Sequence, residues 1–358
     1  LNIQAQQTTV FTAATEKFNQ GVELYEAGLA GKAREVFEEL KRTLDNVPDA
    51  GTRLLQQKVE LYLAKCAIML DLPDGEKLIL DFIRSNNPDP LAQEALLDLA
   101  NYNFSDKNYT KAIEHYLEAS KGNLSPSQRA ELKFRLGYAY FVTRQFDKAG
   151  NTLEEVRSVQ NDNFYATNYY LGLCYFFEGK YGEAAAALRS IEASSKYSKY
   201  IPYYICQIYF AQAKYSELIS YAVPRIKNDQ PKNFTEINQL VGQSYFETGA
   251  YAEALPYLEY YASLTGNLRE EEFYQLGYAQ YLAGKYPEAI RSLRELNGFN
   301  SSTGQYAMYY LGDCYLKTGD KTSARSAFSY AKRLDFNPEL KEEALFNYAK
   351  LSYESNDP

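Results

Sequence analysis

A phrase of fourteen residues recurs along this chain at nearly constant spacing. It reads LGYAYFVTRQFDKA at 136–149, LGLCYFFEGKYGEA at 171–184 and LGYAQYLAGKYPEA at 276–289. Because a period of about 36 residues is typical of stacked helix pairs, the repeat predicts an all-α array. The anchors, aligned on the glycine of LG, are small residues at every repeat: Gly21, Ala64, Ala100, Gly137, Gly172, Cys206, Gly242, Gly277, Gly312 and Ala349.

A second helix follows each anchor. Ala149 lies twelve residues after Gly137 and Leu153 four further on, and this spacing recurs in most repeats. Such spacings place the side chains on one face of a helix. Between the helices, the seventh residue after the anchor is often glycine, which favours the left-handed turn that ends a helix. An aromatic residue follows two positions later and is expected to close the open end of the pair: Tyr109, Phe146, Tyr181, Tyr215, Tyr251 and Tyr286.

The chain resembles the tetratricopeptide repeat (TPR) family, in particular bacterial envelope and secreted TPR arrays. Leu136, Gly137, Tyr140, Ala149 and Leu153 match the family pattern, although the early tryptophan of that pattern is missing from every repeat. The resemblance implies a right-handed superhelical α-solenoid of stacked antiparallel helix pairs.

The repeat register divides the chain into three segments. We expect nine TPR-like repeats over 14–340, with the second and sixth degenerate, and a first helix of a tenth repeat or a capping helix over 341–358. After the first repeat, the connection TLDNVPDAGTRL is longer than the others and predicts a loop or an extension of the second helix. Residues 1–13 include Ile3 and Ala5, which fit the end of a trimmed signal peptide and favour a periplasmic or cell-surface location, with a cytoplasmic one as the alternative.

The resemblance also implies a binding groove. In TPR proteins the groove is lined from the first helices, at positions six and three before the anchor and one, four and five after it. Aromatic residues at those positions predict a surface for a peptide or helix of a partner protein. About half of these rings are expected to fill the seams between repeats instead. The predicted groove residues are Phe134, Tyr138, Phe141, Tyr169, Phe176, Phe177, Tyr203, Phe210, Phe246, Tyr274, Tyr278, Tyr281 and Tyr309.

Other kinds of site are not indicated by the sequence. A net charge of −8 disfavours nucleic acid as a partner, and no apolar run reaches the ~18 residues of a membrane span. The four cysteines are far apart and lack metal-site spacing, so we expect them to be buried apolar side chains. The single histidine, His115, lacks a catalytic companion, and no phosphate-binding glycine loop occurs. The sequence therefore predicts neither a cofactor, a metal site nor an enzyme.

Several alternatives remain open from the sequence. Stacked tyrosines could bind carbohydrate in an envelope protein, and a catalytic domain could follow the segment described by this sequence. A chaperone-type clamp for a terminal carboxylate is not expected, because Lys58, Lys65 and Asn101 form an incomplete set. Self-association is a further possibility for a helical array with an apolar end helix.

Overall fold

The structure, a computed structural model, describes residues 2–46 and 52–354, and for residues 2–10 the backbone only. Nineteen α-helices and no strand occur in these ranges. Positions 47–51 of the long connection after the first repeat lie outside the described residues, as do positions 355–358 of the C-terminal segment. The all-α prediction is therefore confirmed.

The helices belong to two compact units, residues 1–187 and 188–358. Unit 1 contains nine complete helices: α1 (Asn2–Glu26), α2 (Ala30–Asp45), α3 (Arg53–Met69), α4 (Gly75–Asn86), α5 (Pro90–Ser105), α6 (Tyr109–Ala119), α7 (Pro126–Val142), α8 (Phe146–Glu154) and α9 (Phe164–Phe177). The boundary between the units falls within α10 (Tyr181–Arg189). Unit 2 contains α11 (Ile201–Ala211), α12 (Tyr215–Asn228), α13 (Phe234–Glu247), α14 (Tyr251–Leu264), α15 (Glu270–Leu282), α16 (Tyr286–Arg294), α17 (Ser302–Lys317), α18 (Lys321–Ala331) and α19 (Pro338–Glu354).

A local sequence signal marks the start of α7. Before α7, the Ser125 hydroxyl accepts a hydrogen bond from the Gln128 backbone N–H at 3.2 Å. The Gln128 side-chain oxygen accepts one in return from the Ser125 N–H at 3.0 Å. This reciprocal capping box satisfies two backbone donors that the helix itself leaves unpaired. Pro126 occupies the first helical position, where its missing N–H costs little.

Within each unit, consecutive helices pack in pairs and the first helices of neighbouring repeats also contact each other. In unit 1, α1 contacts α3, α3 contacts α5, and α7 contacts α9. In unit 2, α11, α13, α15, α17 and α19 contact one another in series. Stacked helix pairs are therefore present in both units, and side chains on the first helices of adjacent repeats lie close together.

The anchor residues lie where the two helices of a pair cross. From Gly21 to Gly312 every anchor is buried. A Cβ atom on Gly137 would lie 2.6 Å from Cδ2 of Leu153, and one on Gly312 would lie 2.8 Å from Cε1 of Phe328. The small residues of the repeat are therefore required by close contact with the second helix, as the sequence predicts.

Left-handed turns recur at the spacing of the anchors. The seventh residue after each of the nine anchors from Gly21 to Gly312 has a positive φ angle. Five of these residues are glycines, as predicted, and the other four are non-glycine residues in the left-handed conformation: Asp71, Lys107, Arg144 and Ala213. Asp71 and Ala213 belong to the second and sixth repeats, so these degenerate repeats keep the turn although they lack its glycine.

The first and last described helices, α1 and α19, lie at the two ends of the repeat array. Helix α1 begins at Asn2 and runs without a break through position 13 into the first repeat. Helix α19 leaves its anchor Ala349 exposed, together with Leu345 (50%), Phe346 (69%) and Tyr353 (86%). No helix of the described ranges combines the length and apolar character needed to cross a membrane.

Candidate partner-binding surface

In six repeats, the turn brings an aromatic pair together at one end of the helix pair. The fourth residue after the anchor, near the end of the first helix, contacts the aromatic residue that begins the second helix. Ring centroids in these pairs lie between 5.0 and 6.1 Å apart. Aromatic pairs at such separations contribute stabilisation in addition to that from buried apolar area. The predicted closing role of the turn aromatics is confirmed in six repeats: Phe104–Tyr109, Phe141–Phe146, Phe176–Tyr181, Phe210–Tyr215, Phe246–Tyr251 and Tyr281–Tyr286.

In unit 1 these pairs join rings from neighbouring first helices into one surface. Tyr138 contacts Phe104 of the preceding repeat at 5.6 Å and Tyr170 of the following repeat at 4.9 Å between ring centroids. Phe177 stacks on Phe146 at 4.7 Å. We call this surface the unit 1 aromatic face. It consists of Phe104, Tyr109, Phe134, Tyr138, Phe141, Phe146, Tyr170, Phe176, Phe177 and Tyr181.

The predicted groove residues of unit 1 differ in exposure. Phe134, Tyr138, Phe141 and Phe176 are partly exposed, and Phe177 is 50% exposed. Tyr169 is only 9% exposed and packs edge-on against Tyr170 at 5.4 Å. The structure therefore brings the first five together at the surface and places the Tyr169 ring in the interior.

In unit 2, Tyr278 is the centre of a second surface. Its ring contacts Tyr274 at 5.7 Å, Tyr251 at 5.3 Å and Tyr310 at 4.7 Å, and Phe246 lies 6.0 Å away. All of these rings are partly exposed. We call this surface the unit 2 aromatic face. It consists of Phe246, Tyr251, Tyr274, Tyr278, Tyr281, Tyr286, Tyr306 and Tyr310.

The other three predicted residues of unit 2 also take part in ring pairs. Tyr309 contacts Tyr310 of the unit 2 aromatic face at 5.4 Å and the buried Phe328 of α18 at 5.7 Å, so part of its ring packs against the second helix. On α11, Tyr203 pairs with Tyr204 at 5.3 Å and Phe210 with its turn partner Tyr215. These α11 rings are partly exposed.

One class of residue on these faces is not among the predicted groove residues. Tyr170 and Tyr310 each lie two positions before an anchor, and each bridges rings of neighbouring repeats. Tyr62 and Tyr204 occupy the same position in other repeats. This recurrence is visible in the sequence, so it could have identified a further face-lining position.

Carboxylates lie beside several of the tyrosine hydroxyls. Tyr281 donates a hydrogen bond to Asp313 Oδ2 at 2.7 Å, and Tyr175 donates to Glu154 Oε2 at 2.8 Å. Burial, reinforced by the Glu154 hydrogen bond, raises the pKa of Tyr175 to about 12. Burial and Asp313 likewise raise the pKa of Tyr281. These hydroxyls therefore remain protonated at neutral pH and act as hydrogen-bond donors.

Two of the three candidate residues for a carboxylate clamp, Lys65 and Asn101, have partners within the chain. Lys65 is 8% exposed, and its Nζ lies 2.7 Å from Glu94 Oε1 and 2.6 Å from Asp98 Oδ2. Asn101 Oδ1 accepts a hydrogen bond from the Tyr116 hydroxyl at 2.7 Å. Because these polar groups are engaged internally, Lys65 and Asn101 are poorly placed to grip the terminal carboxylate of a peptide.

The groups that could support chemistry are dispersed. Among the described residues, no cluster of three or more histidine, cysteine or acidic side chains has metal-binding geometry. All four cysteines are unpaired and buried, as predicted, and burial raises the pKa of Cys66 to about 11 and of Cys174 to about 12. His115 is partly buried on α6, and this burial lowers its pKa.

Comparison with known proteins identifies one matching family. The model of the tetratricopeptide repeat family matches residues 69–126, 129–198 and 274–338, which together make up more than half of the chain. Among curated proteins, no sequence matches this chain.

Solved structures of TPR proteins are similar at low identity. The C-terminal part of a TPR repeat-containing protein from Cytophaga hutchinsonii is 18% identical, with a TM-score of 0.48, over 68% of this chain and 97% of that one. A tetratricopeptide repeat protein from Parabacteroides merdae is 16% identical, with a TM-score of 0.34, over 82% of this chain and 99% of that one.

Proposed function

Because the chain belongs to the tetratricopeptide repeat family, we propose that it is a non-catalytic scaffold that binds a peptide or helix of a partner protein through its aromatic faces. Arrays of stacked helical repeats offer extended surfaces for such segments. The observation that carries the proposal is the continuity of partly exposed rings from one repeat to the next in each unit.

The composition of these faces suits protein recognition. Tyrosine and phenylalanine contribute large contact areas with few rotatable bonds, so that little side-chain entropy is lost on binding. The rings already support one another, since Phe177 stacks on Phe146 and Tyr278 contacts several neighbours. Such pre-organised rings can act as binding hot spots.

Site-specific photo-crosslinking tests this function. Benzoylphenylalanine at Phe177, on the unit 1 aromatic face, is expected to crosslink a protein partner in the native cell extract. The matched control is Leu117, which is 44% exposed on the second helix α6 and should give little product. Equal crosslinking at both positions would contradict binding through the face. Capture of a polysaccharide in place of protein would favour the carbohydrate-binding alternative.

We further propose that α19 associates with α19 of a second copy of the chain. In the preceding repeat, the large side chain of Phe328 covers the anchor Gly312, whereas the α19 anchor Ala349 is exposed. Phe346 precedes Ala349 by three residues, so two antiparallel α19 helices can place each Phe346 beside the Ala349 of the other copy. Leu345 and Tyr353 would extend this apolar contact.

Sedimentation velocity tests this association. The chain is expected to show a concentration-dependent dimer in the micromolar range, and Phe346→Lys should shift it to monomer because it buries a charge at the contact. The matched control is Phe299→Lys, since Phe299 is 42% exposed and lies outside α19. A monomer at all concentrations, or a dimer that is unchanged by Phe346→Lys, would refute the α19 contact.

A further inference from the structure

An arginine of the chain is bound on the unit 1 aromatic face by three groups. The Arg135 guanidinium lies 5.5 Å from the centre of the Phe104 ring. Its Nε donates to Glu131 Oε1 at 2.6 Å, and its Nη1 donates to Asn101 Oδ1 at 3.1 Å. The arginine is thus held by an aromatic ring, a carboxylate and an amide, which are three groups suited to a guanidinium.

The repeat register places the same three kinds of group in unit 2. Four residues after the anchor, Phe246 corresponds to Phe104, and six residues before the next anchor, Glu271 corresponds to Glu131. Gln243 is the amide that corresponds to Asn101. At the position of Arg135, however, the chain has the neutral Gln275. We call Gln243, Phe246, Glu271 and Gln275 the unit 2 corner.

The unit 2 corner offers a ring and carboxylates at the surface. Phe246 is partly exposed and Glu271 is exposed, whereas Gln243 is buried. Glu247, next to Phe246, is also exposed and accepts a hydrogen bond from Gln275 Nε2 at 3.3 Å. The corner therefore combines an aromatic surface with two exposed carboxylates.

The first helices of unit 2, like the unit 2 corner, are predominantly acidic. Helices α11, α13, α15 and α17, all within the described ranges, carry six acidic residues and one basic residue. The basic residue is Lys317, the last residue of α17. Lys285, in the turn after α15, lies 2.9 Å from Glu259. These helices therefore favour a cationic ligand over an anionic one.

We propose that the unit 2 corner binds an arginine side chain of the partner segment. The guanidinium lies over the Phe246 ring and pairs with Glu247 and Glu271, in the way that Arg135 lies over Phe104 and pairs with Glu131 in unit 1. This inference rests on the proposed function, because it assigns the chemistry of the segment that the aromatic faces bind.

Peptides selected by mRNA display test this inference. A random library of 15-residue peptides is applied to the whole chain, and the peptides that bind are recovered and sequenced. Recovered peptides are expected to share an arginine whose replacement by citrulline, which is neutral and nearly the same shape, weakens binding at least tenfold. Gln275→Arg should weaken binding by a similar factor, because the introduced side chain reproduces Arg135 and occupies the corner. Circular dichroism and thermal melting confirm that this variant folds.

Two double variants distinguish the effect of the carboxylates in the unit 2 corner from the effect of the net charge of the chain. Glu247→Gln combined with Glu271→Gln should weaken binding at least tenfold. Glu253→Gln combined with Glu295→Gln removes as many exposed carboxylates from outside the first helices and should change the affinity less than twofold.

Peptides without arginine, or peptides that bind Gln275→Arg as well as the native chain, would overturn the inference. If such peptides still lose affinity on Phe177→Ala, the proposed function survives, whereas failure to recover any peptide contradicts both.

Discussion

Gly137→Leu is expected to lower the free energy of unfolding by about 3 kcal/mol, since overpacking a tight contact costs about 1–3 kcal/mol and occasionally more. Even a single Cβ at this anchor would lie 2.6 Å from both Cδ2 and Cγ of Leu153, which is fully buried. A leucine adds three further carbons to the same crossing. The two helices must therefore separate or Leu153 must leave its site, and urea denaturation followed by circular dichroism measures the cost.

The same substitution at Gly31 provides the matched control. Gly31 is also helical, but it is exposed and a Cβ there meets no atom within 4 Å. Gly31→Leu should leave stability unchanged or raise it by up to about 1 kcal/mol through helix propensity. Adding Leu153→Ala to Gly137→Leu should restore part of the loss, because a smaller residue then faces the larger one. Equal effects at Gly31 and Gly137 would show that the anchor is not a close crossing.

The repeat register accounts for most of what the sequence could predict. The close crossing of the two helices of a pair and the turn between them both depend on contacts within a single repeat. Small anchor residues and turn glycines therefore identify these two features directly from the sequence. The left-handed turns at Lys107 and Arg144 lack that signal, because either residue is disfavoured in this conformation by about 1–2 kcal/mol when considered alone. Their position in the repeat, rather than their residue type, indicates the conformation, since the flanking helices impose the turn.

The candidate site was less predictable because exposure depends on contacts between repeats. Tyr169 and Phe177 both occupy positions that line grooves in TPR proteins, yet the Tyr169 ring is buried and the Phe177 ring is half exposed. Tyr170, which no groove position indicated, bridges two repeats on the unit 1 aromatic face. Residue spacing defines a helix face, but the size and rotamer of side chains on the next helix decide which ring reaches the surface.

Phe177 and Tyr169 both lie on α9, but substitutions there are expected to affect different properties. Phe177→Ala is expected to weaken binding of the crosslinked partner at least tenfold, or about 1.4 kcal/mol, because it removes an exposed ring that Phe146 holds in place. It should change stability by less than about 1 kcal/mol, since surface substitutions usually have small effects. Tyr169→Ala should lower the free energy of unfolding by about 3 kcal/mol, because removing a buried ring leaves a cavity.

The two variants are compared in calorimetric titrations with the partner and in urea denaturation. Titrations are performed at a temperature where both variants are fully folded, so that the effect of Tyr169→Ala on affinity is not caused by unfolding. Affinity should then depend on Phe177 and stability on Tyr169. If Tyr169→Ala weakened binding as much as Phe177→Ala, the partner would recognise the packing of α9 as a whole. If neither variant changed affinity, the unit 1 aromatic face would be a structural seam and the partner would bind elsewhere.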